Sequence, residues 1–214
     1  MREIYLLNND DYEGVNRLPV IKSVFFDKKI DLSLYDALVF TSKNGVRAID
    51  RIDKNWREKD IYSIGRGTSK EIEKYNANLV YTAKSSYGDD FAKEIKQRLS
   101  SKRVLFPRAK VVTSKLNQIL KDNGVLLDEI VVYETVCVNY TDDLAPKRDS
   151  VIIFTSPSTI ECFFKNFEWR DDYIAVCIGK VTAKAMPDGI EYHLSENPNI
   201  PSCIEKAISF VKQN

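Results

Sequence analysis

Apolar residues along this chain follow two alternating rhythms. Short runs with almost no polar interruption recur: Ile4-Tyr5-Leu6-Leu7, Ala37-Leu38-Val39-Phe40, Ile61-Tyr62-Ser63-Ile64, Val104-Leu105-Phe106, Val151-Ile152-Ile153-Phe154 and Ala175-Val176-Cys177-Ile178. Runs this continuous predict strands covered on both faces, hence parallel sheets flanked by helices. Between them the spacing lengthens. Phe91, Ile95 and Leu99 recur every four residues, and Ile204, Ala207, Ile208 and Val211 at three and four, the stripe of an amphipathic helix.

The pattern also repeats. Phe40-Thr41-Ser42-Lys43-Asn44-Gly45-Val46 matches Phe154-Thr155-Ser156-Pro157-Ser158-Thr159-Ile160, and Ile64-Gly65-Arg66-Gly67-Thr68 matches Ile178-Gly179-Lys180-Val181-Thr182. Positions 42 and 156 differ by 114, as do 68 and 182. A second match, at a slightly smaller offset, relates the Ile4 run and Gly14 to the Val104 run and Gly124. A duplicated unit resets the fold expectation. If each half needs its own copy of both segments, residues 31–130 form one continuous domain, and residues 1–28 with 132–214 form the other. The crossings fall in Val20–Phe26 and Glu129–Val136, both β-branched or aromatic enough to pair as a two-stranded ribbon. The expected fold class is therefore α/β: two similar parallel-sheet, three-layer domains joined by a β ribbon, with a cleft between the lobes. Ordinary sequential domains are the alternative.

Composition narrows the class of function. The 214 residues suit either one large domain or two small ones. Lysine and arginine total 32 against 31 aspartate and glutamate, and no basic run forms a phosphate-binding stripe, so nucleic acid is not an expected partner. Neither a secretory segment nor a membrane-spanning stretch is evident, which leads to the expectation of a soluble, cytoplasmic protein with no membrane partner. Cys137, Cys162, Cys177 and Cys203 are widely spaced in apolar surroundings; core thiols are expected rather than disulfides or a metal site.

Candidate chemistry lies beyond the carboxyl ends of the strands, where ligands gather in open parallel sheets. Ser42 and Ser156 directly follow strands; each is a candidate ligand contact and equally a candidate helix N-cap, with Pro157 suited to the first turn of its helix. Thr68 and Thr182 follow a strand-Gly-x-x pattern that leaves backbone N–H groups at a helix start facing an anion, or serve as caps there. Other constellations are missing. There is no GxGxxG after the first strand and no GxxxxGK[ST], and Gly65-Arg66-Gly67 lacks the context of a dinucleotide loop. The single histidine, His193, permits no Ser-His-Asp or multi-histidine metal site and is expected at the surface. Asp89-Asp90 and Asp171-Asp172 are read as solvated capping or linker residues rather than a hydrolytic pair.

Taken in order, Phe40-Thr41-Ser42 with Asn44-Gly45-Val46, Ile64-Gly65 with Thr68, Ser86-Tyr87-Gly88, Val131-Val132-Tyr133-Glu134-Thr135, Phe154-Thr155-Ser156-Pro157-Ser158, and Ile178-Gly179 with Thr182 resemble the uroporphyrinogen-III synthase family over essentially the whole chain. Many members follow the first strand with Arg-Pro; here the loop departs from that pattern and reads Leu7-Asn8-Asn9-Asp10, and no substrate role is assigned to it. The resemblance implies a hydro-lyase without cofactor or metal, active in porphyrin and heme biosynthesis; a monomer is expected. Its substrate would be hydroxymethylbilane, an octacarboxylate linear tetrapyrrole, closed with loss of water and inversion of ring D through a spiro intermediate. It further implies substrate contacts at Ser42, Asn44, Gly65, Thr68, Ser86, Ser156, Ser158, Gly179 and Thr182. Tyr133 would donate a hydrogen bond or proton to the departing hydroxyl; it could instead be a cross-strand aromatic on the ribbon. A non-catalytic two-lobe module for an anionic ligand is the rival from another class, and a sugar or nucleotide phosphate enzyme a third.

Overall fold

The structure, a computed structural model, describes residues 2–211. The chain forms two compact units, one of Ser23–Glu134 and one of Met1–Lys22 with Thr135–Asn214.

The unit Ser23–Glu134 is built on a six-stranded sheet. Its strands are β3 (Ile21–Phe25), β4 (Ala37–Phe40), β5 (Asp60–Ser63), β6 (Leu79–Thr82), β7 (Arg103–Ala109) and β8 (Leu126–Cys137), in the order β3-β8-β7-β4-β5-β6. From β8 through β6 the pairing is parallel. Alternate residues of β4 explain its unbroken apolar run. Ala37 and Val39 point into a cluster with Phe91, Ile95 and Leu120, under α3 (Gly88–Ile95) and α4 (Leu116–Asp122). Leu38 and Phe40 point the other way, among Val46, Ile49, Trp56 and Ile72 of α1 (Lys43–Ile52), α2 (Gly65–Glu73) and their connection. Trp56 is wholly buried, with its ring edge-on to Phe40 at 5.5 Å.

The other unit carries a five-stranded sheet of β1 (Ile4–Leu6), β2 (Asn16–Arg17), β9 (Val151–Phe154), β10 (Ile174–Cys177) and β11 (Tyr192–Leu194), ordered β11-β10-β9-β1-β2 and parallel throughout. Ile152 and Phe154 of β9 pack under α5 (Pro157–Asn166) and α6 (Lys180–Ala183), and Val151 and Ile153 under α7 (Ile200–Val211). The repeat seen in the sequence is thus a repeat of topology: β9, β10 and β11 follow the plan of β4, β5 and β6, and β1 takes the place of β7. Gly14 and Gly124, preceding β2 and β8, both have positive φ, 72° and 78°, which glycine adopts without penalty.

The expected ribbon is β3 against the second half of β8. Phe26 donates its N–H to the Val132 carbonyl and Val138 donates to Val20, so numbering rises on one strand as it falls on the other and the pair runs antiparallel.

Three expectations change. Cys137 and Cys162 form a disulfide, because the end of β8 runs alongside α5; only Cys177 and Cys203 are buried thiols, and burial pushes Cys177 up to about 12. His193 is not a free surface residue: it lies half-buried in β11 with its ring 4.5 Å from Phe210. Helix α3 ends at Ile95, so Leu99 reaches the core from the following turn, and Ile208 of α7 is exposed while Cys203 and Ala207 form its buried face. Among the described residues no helix is long and apolar enough to cross a membrane.

Candidate active site

Each sheet has a point where the chain departs in opposite directions from neighbouring strands, between β4 and β7 in one and between β9 and β1 in the other. Loops beyond the carboxyl ends of strands at such a point bound a natural crevice. Thr41–Asn44 follows β4 and Thr155–Ser158 follows β9, so both serine segments stand there.

Ser42 caps α1. Its Oγ accepts from the Gly45 N–H at 3.0 Å, and it also lies 2.8 Å from the Tyr133 hydroxyl. Tyr133, on β8, is only 6% exposed; its ring sits in the core with Phe40 and Val132 and lies 6.2 Å from Phe25 on the neighbouring strand. It is therefore both a ribbon aromatic and a hydroxyl presented to Ser42. Burial pushes its pKa above the usual tyrosine range, and the Ser42 hydrogen bond pulls partly against that. Asn44 donates through Nδ2 to Ser23 Oγ at 2.7 Å.

The next loop opens α2. Gly65 has φ 59°, a left-handed conformation that resists any other residue, and a Cβ there would stand 3.2 Å from Ser86 Oγ, so Gly65 and Ser86 are neighbours. Ile64, the N-cap of α2, supplies no side-chain hydrogen bond, which leaves the first-turn N–H groups without a side-chain cap. Thr68 is 6% exposed, and its hydroxyl has no hydrogen-bond partner among the described residues. The two loops adjoin, since the Lys43 Cε is 3.7 Å from where a Gly67 Cβ would be.

In the other unit Ser156 caps α5 through a full capping box with Thr159, with Pro157 in the first turn. Ser158 is half-buried with no side-chain hydrogen bond among the described residues. Gly179 is the N-cap of the short α6, again with no side-chain capping bond, and Thr182 is 4% exposed. The sequence candidates thus gather as Ser42, Asn44 and Tyr133 beside Gly65, Thr68 and Ser86 in one unit, and as Ser156, Ser158, Gly179 and Thr182 in the other. Two features went unread in the sequence: the Ser42–Tyr133 contact, and the contrast between Gly45 and Thr159 at matched positions. The second was open to inspection in the aligned repeat. None of the candidates lines the cavity of about 1180 Å³ formed by Trp169, Arg170, Tyr173 and their neighbours.

Residues 14–205 match the family described as uroporphyrinogen-III synthase HemD. The chain belongs to the uroporphyrinogen-III synthase family. A porphyrin biosynthesis protein HemD from Ruminiclostridium josui is 25% identical over 81% of this chain; the chain spans only 38% of that relative's length. A uroporphyrinogen-III synthase from Chlorobaculum parvum is 24% identical over 73% of this chain and 71% of its own. The crystal structure of the Helicobacter pylori uroporphyrinogen-III synthetase superposes with a TM-score of 0.85 at 28% identity, covering 98% of this chain and 99% of that one. A mutant synthase from Thermus thermophilus, at 12% identity and a TM-score of 0.58, shares the fold.

Proposed function

We propose that the chain is a uroporphyrinogen-III synthase, a hydro-lyase that cyclises hydroxymethylbilane to uroporphyrinogen III. The electron-rich pyrrole expels its hydroxyl as water to give an azafulvene; ring D attacks through its substituted carbon, and the spiro intermediate fragments and recloses with that ring inverted. The pyrroles supply the electron push, so the chemistry asks for no cofactor or metal. The protein's task is to hold the conformation that favours the spiro route over simple closure.

The observation that carries the reading is the Tyr133 hydroxyl, buried yet hydrogen-bonded to Ser42 in a loop beyond the end of a central strand. A tyrosine above its usual pKa is protonated at neutral pH and has a proton to give to a leaving hydroxyl. Carboxylates of the substrate have backbone partners in the first turn of α2 and at the Gly179 turn, neither capped by a side chain. Thr68 and Thr182 add hydroxyls at matched positions.

Incubation with enzymatically generated hydroxymethylbilane, followed by isomer analysis, tests the reading. Isomer III is expected; isomer I alone, at the rate of the unassisted reaction, would overturn it.

A further inference from the structure

The two copies of the serine loop are built differently. In α5, Thr159 closes the capping box: its Oγ1 accepts from the N–H groups of both Thr155 and Ser156, and its own N–H is received by Ser156 Oγ at 3.3 Å. The matched position in α1 is Gly45, which has no side chain to offer. A Cβ there would stand 3.1 Å from the Pro107 carbonyl oxygen and 3.5 Å from Ser42 Oγ. The box cannot close, and the N–H groups of Thr41 and Ser42 find no side-chain acceptor among the described residues. What stands beside Ser42 instead is the Tyr133 hydroxyl.

We propose that Ser42 is a positioning residue for Tyr133, orienting the tyrosine hydroxyl and supporting it as its proton leaves; this rests on the synthase reading above. A serine hydroxyl has one proton and two lone pairs. The Gly45 N–H occupies one lone pair and anchors the oxygen. Ser42 can then donate its proton to the Tyr133 oxygen, which turns the tyrosine's own proton away from Ser42 and towards a substrate. In the step itself the C–O bond of the bilane breaks as the pyrrole nitrogen's electron pair forms the exocyclic C=C bond of the azafulvene; the hydroxyl leaves as water with the Tyr133 proton, and the pyrrole N–H proton passes to solvent, from which the Tyr133 phenolate regains its own. The Ser42 donor stabilises the phenolate formed meanwhile, as hydrogen bonds to developing charge do. Capping alone needs only the Gly45 bond and explains neither the missing box nor the second contact.

The test compares Ser42→Ala, Ser42→Thr, Tyr133→Phe and the Ser42→Ala/Tyr133→Phe double variant, reading isomer III formation against pH alongside thermal melting. Ser42→Ala is expected to lower kcat by about tenfold, the order set by one hydrogen bond to a group gaining charge, with KM nearly unchanged. The alkaline limb of its profile should move to higher pH, because the tyrosine loses the donor that favours its ionised form. Ser42→Thr, which keeps the hydroxyl, should recover most of the rate, and the double variant should be no slower than Tyr133→Phe. Losses that multiply in the double variant, or a Ser42→Ala enzyme that melts early yet keeps its kcat, would reduce Ser42 to a helix cap while leaving the synthase reading intact. Wild-type protein that forms no isomer III would overturn that reading and this role together.

Discussion

Cys137, the last residue of β8, is covalently tied to Cys162 within α5, and the same stretch is stitched by Asn166, whose Nδ2 donates to the carbonyls of Val138 and Cys162 while its Oδ1 accepts from the Tyr140 N–H. The bond closes a loop with a sequence separation of 25. A cross-link of that span stabilises by about 3 kcal/mol, chiefly by restricting the unfolded chain. Cys137→Ser is therefore expected to lower unfolding free energy by about that amount, and reductant should do the same to wild type. Denaturant melts of the three samples check it; coincident curves would show that the disulfide does not form in solution.

Thr68 and Thr182 occupy the same turn after the same strand of their repeats, both nearly fully buried. Because backbone donors share the load, Thr→Ala at either is expected to lower kcat/KM by the equivalent of about 1–2 kcal/mol rather than abolish activity. The effect should appear as a raised KM, with little change in melting temperature, since neither hydroxyl holds a partner within the protein among the described residues. Kinetics unchanged in both single variants and in the double would remove these residues from the site.

How much of this could be read in the sequence depends on how local the cause was. The unbroken apolar runs reported strands buried on both faces because Leu38 and Val39, or Ile152 and Ile153, do pack into opposite clusters. Ser42 and Ser156 announced themselves as helix starts because a cap is a property of a few neighbouring residues. The Ser42–Tyr133 contact joins residues 91 positions apart and the disulfide joins residues 25 apart; both exist only once the sheets are assembled. The cysteines misled for the same reason: apolar surroundings describe a buried thiol and a buried disulfide equally well.

Glu71 is buried on α2, held by Arg47 through Nε at 2.7 Å and by Lys74 at 2.8 Å. Burial pushes its carboxyl up, but the two cations outweigh that and leave it below the usual range. A carboxyl whose folded pKa is depressed contributes stability that is fully present above its unfolded pKa, about 4.3, and is lost as pH falls through the folded value. Glu71→Gln should thus cost about 1–2 kcal/mol at pH 7, with Arg47 partly in solvent, and progressively less as the pH falls below the usual carboxylate range and through the folded value. Parallel denaturant melts across that range check the sign; a gap that persists in acid would mean that the pair is held by packing rather than charge.

Tyr133→Phe removes one hydroxyl and keeps the ring that packs among Phe40, Val132 and Phe25. Folding should survive, because Ser42 Oγ retains the Gly45 N–H and only one hydrogen bond, worth about 1 kcal/mol, is lost. If the hydroxyl assists departure of water from the bilane, kcat should fall by roughly 10²–10⁴-fold, or less where the pyrrole's own push dominates, while KM changes little. The pH profile adds an independent sign. An acid must be protonated to act, and the Tyr133 pKa lies above the usual tyrosine range, so wild-type kcat should hold beyond about pH 10 before it declines, and that decline should be absent from the Phe variant. Tyr133→Ala would behave differently, opening a cavity in the core and lowering the melting temperature whatever its effect on rate. A Phe variant that forms isomer III at the wild-type rate would leave Tyr133 as a ribbon aromatic and require another donor for the departing hydroxyl.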